Sequence, residues 1–264
     1  MLFNIKITAK KYHIKKEYNE EDKLIFEGTY LNGKLNGEVK EYYYDGETKF
    51  EGKYLNGEKN GTGKEYDYHG KIIFEGEYLK GKRNGKGKEY DKNGKLIFKG
   101  EYFNGERNGK GKEYYTNKKI KFEGEYLNGE RNGQGKEFYK NKKIRFEGEY
   151  LYGFKLNGKF YIDEKVEYEG EYLYNKKWNG KGYDKNGKII YKLINGDGNA
   201  REYKKNKLIF EGEYKNGKRN GKGREYDNDK LIFEGNYKNG KRSGHGIEYS
   251  IKYEGEYLNG ERKN

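Results

Sequence analysis

The chain has 264 residues, with 58 Lys and Arg against 44 Asp and Glu, a net charge of +14, and neither Cys nor Pro. Leu, Ile, Val and Phe number only 47, a share that ordinarily accompanies disorder, yet 31 Tyr lift the aromatic fraction to 17%, and disordered chains are poor in aromatics. With 41 Gly and only two Ala, Ala9 and Ala200, a helical bundle is excluded; without Cys, so are a disulfide framework, a thiolate metal site and a cysteine nucleophile.

In chain order, residues 1–22 precede any repeat and form an N-terminal cap or a partly ordered charged lead. LFNIKI at 2–7 has the pattern of a capping strand, and Lys10 to Asp22 is densely charged. Residues 1–10 (MLFNIKITAK) lack the apolar stretch of a signal peptide. Apolar runs such as Leu24–Phe26 are far too short to span a bilayer as a helix. The expected compartment is therefore cytoplasmic, with membrane association as a further option.

From residue 23 to 264 the chain is one internal repeat. An aromatic, one residue, Gly, one residue and Tyr recur around Gly28, Gly52, Gly76, Gly100, Gly124, Gly148, Gly170, Gly212, Gly235 and Gly255. A worn copy runs from Tyr191 into NGDG at 195–198, which makes eleven units, the last one short. The spacing of two is that of a strand. In KIIFEGEYL (71–79), Ile72, Phe74, Gly76 and Tyr78 share one face, and Ile73, Glu75, Glu77 and Leu79 the other. Asn-Gly follows, as at Asn56-Gly57 and Asn128-Gly129, and it accepts the positive φ angles of tight hairpin turns. A second Gly pair, as in NGKG at 84–87, opens a polar return strand such as Lys88–Tyr90, and a DKNG-type turn (91–94) leads onward.

Each repeat therefore reads as one β-hairpin. The fold class is all-β: an elongated, single-layer antiparallel sheet of about eleven tandem hairpins, a repeat rod. The strand Gly lies between two large rings and leaves space over which neighbouring rings can lean. Counting by twos from Gly61 and Gly63 reaches Glu65 rather than Tyr66, and a bulge there would return Tyr66 to the aromatic face. Tyr has an apolar body and a wet tip, so a Tyr-rich face is expected to stay partly exposed.

These residues resemble the MORN family (membrane occupation and recognition nexus), whose pattern is roughly YxGxYxxGxxxGxGxxY. Residues 98–114 (FKGEYFNGERNGKGKEY) and 210–226 (FEGEYKNGKRNGKGREY) carry it, and the resemblance covers about 24–264. The longer unit is most similar to the bacterial variant found in YwqK-type antitoxin proteins. Val39 and Phe160 depart from the pattern, standing where the second Gly of NGxG is expected. The resemblance implies an elongated, twisted single-layer sheet that binds and scaffolds, often as a dimer, with no chemistry. Members are linked both to phosphoinositide membranes and to protein partners.

Catalytic constellations have simpler structural explanations. Glu75 and Glu77, about 7 Å apart on one strand face, would suit a glycosidase pair, but the same pair recurs in six units. The acidic rows are better placed against Lys rows across the sheet. His13, His69 and His245 are scattered, Ser243 and Ser250 lack a nucleophile context, and DKNG imitates only the start of a calcium loop. No enzyme activity, cofactor or metal is expected.

The leading reading is a scaffold that binds a protein through the aromatic face, with Phe74, Tyr78, Phe98, Tyr102, Phe122, Tyr126, Phe146 and Tyr150 as contacts. One alternative is a peripheral membrane tether that binds anionic phospholipid through basic loops holding Lys82, Arg83, Lys86, Lys218, Arg219, Lys222 and Arg224. Another is a bacterial antitoxin or immunity protein. Nucleic acid fits poorly, because Glu alternates with the aromatic residues along the strands. The last repeat stops near its return strand, so Tyr253 and Tyr257 are expected on an open edge that pairs with a partner or a second copy in a homodimer.

Overall fold

In the computed structural model, residues 12–249 and 252–263 are described. The capping strand expected at 2–7 lies outside them. Every regular element among the described residues is a β-strand, and the chain divides into two units, residues 1–130 and 131–264.

The first unit is an antiparallel meander of β1 (Tyr12–Tyr18), β2 (Leu24–Leu31), β3 (Lys34–Tyr42), β4 (Thr48–Leu55), β5 (Glu58–Tyr66), β6 (Ile72–Leu79), β7 (Lys82–Tyr90), β8 (Leu96–Phe103), β9 (Glu106–Tyr114) and β10 (Ile120–Leu127). Each strand pairs with the next. Part of the charged lead, Tyr12–Tyr18, is thus a strand laid along β2.

Within a hairpin, Phe74 stands opposite Glu89, Gly76 opposite Gly87, and Tyr78 opposite Arg83. The turns are tight: Asn56 and Gly57 both have positive φ, 53° and 93°, as a two-residue hairpin turn of this kind requires. At the paired glycines the two backbones and one ring meet. A Cβ on Gly76 would lie 2.7 Å from both the Gly87 Cα and the tip of the Phe74 ring. Only Gly fits there, and it lets each Phe lie flat across two strands.

The bulge expected at Tyr66 is present but works the other way. Glu65 pairs with Phe74 and Tyr66 with Ile72, so the extra residue is Ile73, on β6. Glu65 itself therefore shares the aromatic face. Tyr66 stays on the opposite face, where its hydroxyl donates to Glu51.

That register builds the interior of a single sheet. Tyr78 Oη donates to Glu65 at 2.8 Å, and Arg83 Nε donates to the same carboxylate at 3.3 Å. The Arg83 guanidinium lies 4.1 Å over the Phe74 ring, and Tyr102 meets that ring edge-on at 5.1 Å. One repeat later, Arg107 and Tyr102 bond to Glu89, and Arg107 covers Phe98. Phe74 and Phe98 are thereby enclosed by glycines below, an Arg above and a Tyr beside each, and Lys59 takes the place of the Arg over Phe50.

The second unit continues the pattern with β11 (Glu130–Phe138), β12 (Ile144–Leu151), β13 (Phe154–Ile162), β14 (Lys165–Leu173), β15 (Lys176–Tyr183), β16 (Ile189–Ile194), β17 (Asp197–Lys204), β18 (Lys207–Lys215), β19 (Lys218–Asp227), β20 (Lys230–Lys238), β21 (Lys241–Glu248), β22 (Tyr253–Leu258) and β23 (Glu261–Arg262). The worn copy at 189–204 is a real hairpin, β16 with β17, paired only at Leu193–Gly198 and Ile194–Asp197.

Val39 occupies the second-Gly register as expected, opposite Gly28. Phe160 does not. Gly158 faces Gly148 and Phe160 faces Phe146, because the return strand reaches its glycine one residue sooner after the turn. Phe160 therefore replaces the repeat's Glu, not its Gly. The same slip in β15 puts Gly182 in the Glu register, opposite Tyr168.

Candidate functional site

The eight rings expected to meet a partner are the interior of the sheet. Phe74, Phe98, Phe122 and Phe146 are 0% exposed, and Tyr78, Tyr102, Tyr126 and Tyr150 are 2–4% exposed. The expectation of a partly open aromatic face is corrected accordingly. Sequence reasoning missed that Glu and Arg from the return strands lie on that face and close it. The signal was present, since counting by twos from Gly63 reaches Glu65.

The basic loops separate into two kinds. Arg83 and Arg219 are structural: Arg83 is held by Glu65, and Arg219 by Glu202 and Glu225 while it lies 4.1 Å over Phe210. They are not free to bind an anion. Arg224 is exposed but paired with Glu234 at 2.9 Å. Lys82, Lys86, Lys218 and Lys222 are exposed, Lys82 donating to the Asn104 side chain.

At the C-terminal edge the expected open strand has a partner. Tyr257 pairs with Arg262 and Leu258 with Glu261. Arg262 and Tyr257 both bond to Glu248, the arrangement that Arg242 and Tyr237 make with Glu225. Tyr257 is buried against Phe233, and the Tyr253 hydroxyl donates to the Lys263 carbonyl. Two residues of return strand suffice to complete the last ring cage.

In the second unit the slipped strands create a buried polar cluster. Lys177 stands where other repeats have Arg, opposite Tyr172, but Phe160 offers it no carboxylate. It bonds instead to Glu167, which is buried in the bulge position of β14. Lys177 Nζ also donates to the Tyr191 hydroxyl at 2.8 Å and the Arg201 carbonyl at 3.0 Å, and Tyr191 donates to Glu167 at 2.7 Å. Burial pulls the Lys177 ammonium below its usual range, against the pull of Glu167. Tyr191 occupies the space over Gly182, where a Cβ would lie 2.0 Å from its ring. Tyr172, deprived of the Glu its counterparts use, keeps a buried hydroxyl without a hydrogen-bond partner.

Two exposed features repeat along the surface. The first is apolar and lies beside the tight turns. In the first unit, Leu55, Leu79, Phe103 and Leu127 are 43–64% exposed, each directly before its turn. In the second unit Leu151, Leu173, Ile194 and Leu258 hold the same position and are 41–69% exposed, whereas Lys215 and Lys238 replace the apolar residue in two hairpins and pair with Lys218 and Lys241.

The second feature is a charge row across the face opposite the rings. From β1 to β7 it reads Lys16, Glu27, Lys40, Glu51, Lys64, Glu75 and Lys88, each opposite the next. Lys64 pairs with Glu51 at 3.1 Å, and Lys112 with Glu123 at 3.1 Å. The paired acidic residues of the repeats thus face lysines. Tyr42, Tyr66 and Tyr90 lean onto the same row and donate to Glu27, Glu51 and Glu75.

The Asp-Lys-Asn-Gly segments are turns built on their Asp. The Asp91 carboxylate accepts from the backbone N–H groups of Asn93 and Lys95, and Asp184 does the same with Asn186 and Lys188. Among the described residues, no helix is long and apolar enough to cross a membrane.

The family model described as MORN repeat matches residues 26–48, 50–68, 74–95, 98–119, 122–143, 210–231 and 233–251. The matches stop where the interior changes, around the slipped strands β13 to β17. No curated protein matches the chain.

Proposed function

Since the chain belongs to the MORN repeat family, we propose that it is a non-enzymatic scaffold that holds a protein partner along its turn edge. One observation carries this reading: the exposed row Leu55, Leu79, Phe103 and Leu127, one apolar side chain per hairpin. The rings cannot serve as the contact, because they are the core. Exposed apolar residues gathered in one row mark interaction surfaces more often than single ones do. A repeated hairpin presents them at two strand spacings, about 9.6 Å. The test compares cross-linked partners of the full chain with those of a Leu79→Asp, Phe103→Asp double variant. Loss of specific partners supports the reading, and an unchanged partner set ends it.

A second reading, an anionic membrane surface, draws on the second unit. Lys215, Lys218, Lys238 and Lys241 lie at neighbouring turn tips and pair Lys to Lys. Such lysines attract anionic lipid by about 1 kcal/mol each, an attraction that salt screens. Sedimentation with phosphatidylserine vesicles would then fall steeply with salt and vanish when these four become Glu. Retention that ignores both salt and charge reversal excludes it.

A further inference from the structure

The alternating charge row breaks at one place in the first unit. Lys99 of β8 stands where the repeat has Glu, opposite Lys88 of β7 on one side and Lys112 of β9 on the other. Lys88 and Lys112 each have a carboxylate on their far side, Glu75 and Glu123. Lys99 is exposed, and among the described residues no carboxylate lies within ion-pair distance of it. Tyr114 occupies the position from which Tyr90 and Tyr66 donate to Glu75 and Glu51. With Lys at 99 that acceptor is gone, and the Tyr114 hydroxyl is left without one.

Like charges directly opposite one another in a sheet repel. Here three lysines stand on three adjacent strands, whose backbones run about 4.8 Å apart, beside a spare phenol donor. We propose that Lys88, Lys99, Lys112 and Tyr114 form a binding site for a dianionic phosphate monoester carried on a protein partner, that is, a phosphorylated side chain. Lysines bind phosphate as point charges, and a phosphate oxyanion accepts from the ammonium groups and the phenol together.

The surroundings select the source. The positive island is bounded by Glu75 and Glu123 along the row and by Glu101 next to Lys99 on the same strand face. A broad anionic membrane would meet those carboxylates as well as the lysines. A single phosphate flanked by Lys or Arg would meet opposite charge throughout. Among the described residues the second unit offers no equivalent: there Lys192 faces one lysine, Lys181, and the pairing of β16 with β17 does not reach it on the other side. The site rests on the scaffold reading only in taking its ligand from a protein, and it uses different residues from the turn edge.

The experiment measures anisotropy of a labelled peptide with phosphoserine between basic residues, and of its unphosphorylated twin, on the full chain. The phosphorylated peptide should bind at least about tenfold more tightly, and millimolar inorganic phosphate should compete. Lys99→Glu restores the sequence of the other repeats and the acceptor for Tyr114, so it should fold normally and remove the difference. Equal binding of the two peptides overturns the proposal, as does a preference that survives in Lys99→Glu. Phosphatidylserine vesicles supply the other arm: retention abolished by Lys99→Glu, without peptide discrimination, would assign the island to lipid and overturn it too. Failure here leaves the turn-edge reading standing, because that reading is tested by Leu79 and Phe103.

Discussion

Arg83 of β7 lies 4.1 Å above the ring of Phe74 and is anchored there by Glu65 of β5, on the far side of the Phe74 strand. This contact is what allows one sheet to have an interior. The guanidinium covers an apolar ring as a cation over a π face, and its charge is met by a carboxylate on the same side. Burial alone would raise the Glu65 carboxyl, but Arg83 and Tyr78 hold it below the usual range.

Replacing Arg83 by Ala should therefore cost more than a surface ion pair would. It uncovers Phe74 and leaves Glu65 half-buried without the two hydrogen bonds that Arg83 donates. The expected loss is about 2 kcal/mol, read as a lower urea midpoint at unchanged slope. Lys82→Ala, one residue away and exposed, should stay within about 0.5 kcal/mol.

Gly87→Ala tests the packing beneath the ring. The added Cβ would lie 2.6 Å from the tip of Phe74 and 3.0 Å from Tyr102. Neither ring can retreat, since both are enclosed. Overpacking of this kind costs about 1–3 kcal/mol, and thermal unfolding of the variant should show it.

The hairpin period, the Asn-Gly turns and the structural role of the strand Gly were legible because each is a local pattern repeated along the chain. The exposure of the rings was not. It depends on Glu65 and Arg83 meeting across two strands, and that depends on the bulge at Ile73. A bulge moves a side chain from one face to the other without altering the sequence around it. Phe160 was misplaced for the same reason: its register follows from the turn that precedes it. Lys99 was visible as a departure from the repeat, but its two lysine neighbours appear only once the strands are paired.

Tyr172 and Tyr78 occupy the same place in their repeats but differ in their hydroxyls. Tyr78 donates to Glu65, whereas Tyr172 is buried with no acceptor. Tyr78→Phe should destabilise by about 1.5 kcal/mol, the worth of a hydrogen bond to a charged group. Tyr172→Phe should be neutral or stabilising, because it deletes an unsatisfied polar atom. A loss at Tyr172 as large as that at Tyr78 would show that its hydroxyl is bonded in solution.

The Lys177–Glu167 pair predicts strong coupling. Lys177→Met alone leaves the Glu167 carboxylate buried without its cation, a change of the kind that costs about 3–5 kcal/mol. Glu167→Gln alone strands the Lys177 ammonium among Tyr168, Tyr191 and Tyr203. The double variant removes both charges and should recover much of the loss, so the double-mutant cycle should give a coupling of at least about 1 kcal/mol.

Stability should fall at both ends of the pH scale, for opposite reasons of sign. On the acid side, Glu65, Glu89 and Glu225 resist burial's upward pull because Arg83, Arg107 and Arg242 keep them ionised. Their folded pKa values lie below the unfolded 4.5. Between the two values the unfolded chain binds more protons, so this stability is present above pH 4.5 and is lost as pH falls through the folded values. On the alkaline side, burial and then the bond to a carboxylate push Tyr90 and Tyr226 up to about 12 from 10.0. There the folded chain keeps protons that the unfolded chain has released. The stability these tyrosines lend is complete below pH 10.0 and disappears as pH rises towards about 12. Tyr90 loses the part of this protection that its acceptor supplies if Glu75 is changed, so Glu75→Gln should lower its titration midpoint. Following tyrosinate absorbance and ellipticity together checks the argument. Coincident alkaline transitions, with most tyrosines ionising only as the sheet unfolds, are expected. Tyrosines that ionise freely near pH 10.0 while the strands persist would show that the hydroxyl–carboxylate ladder does not hold the sheet.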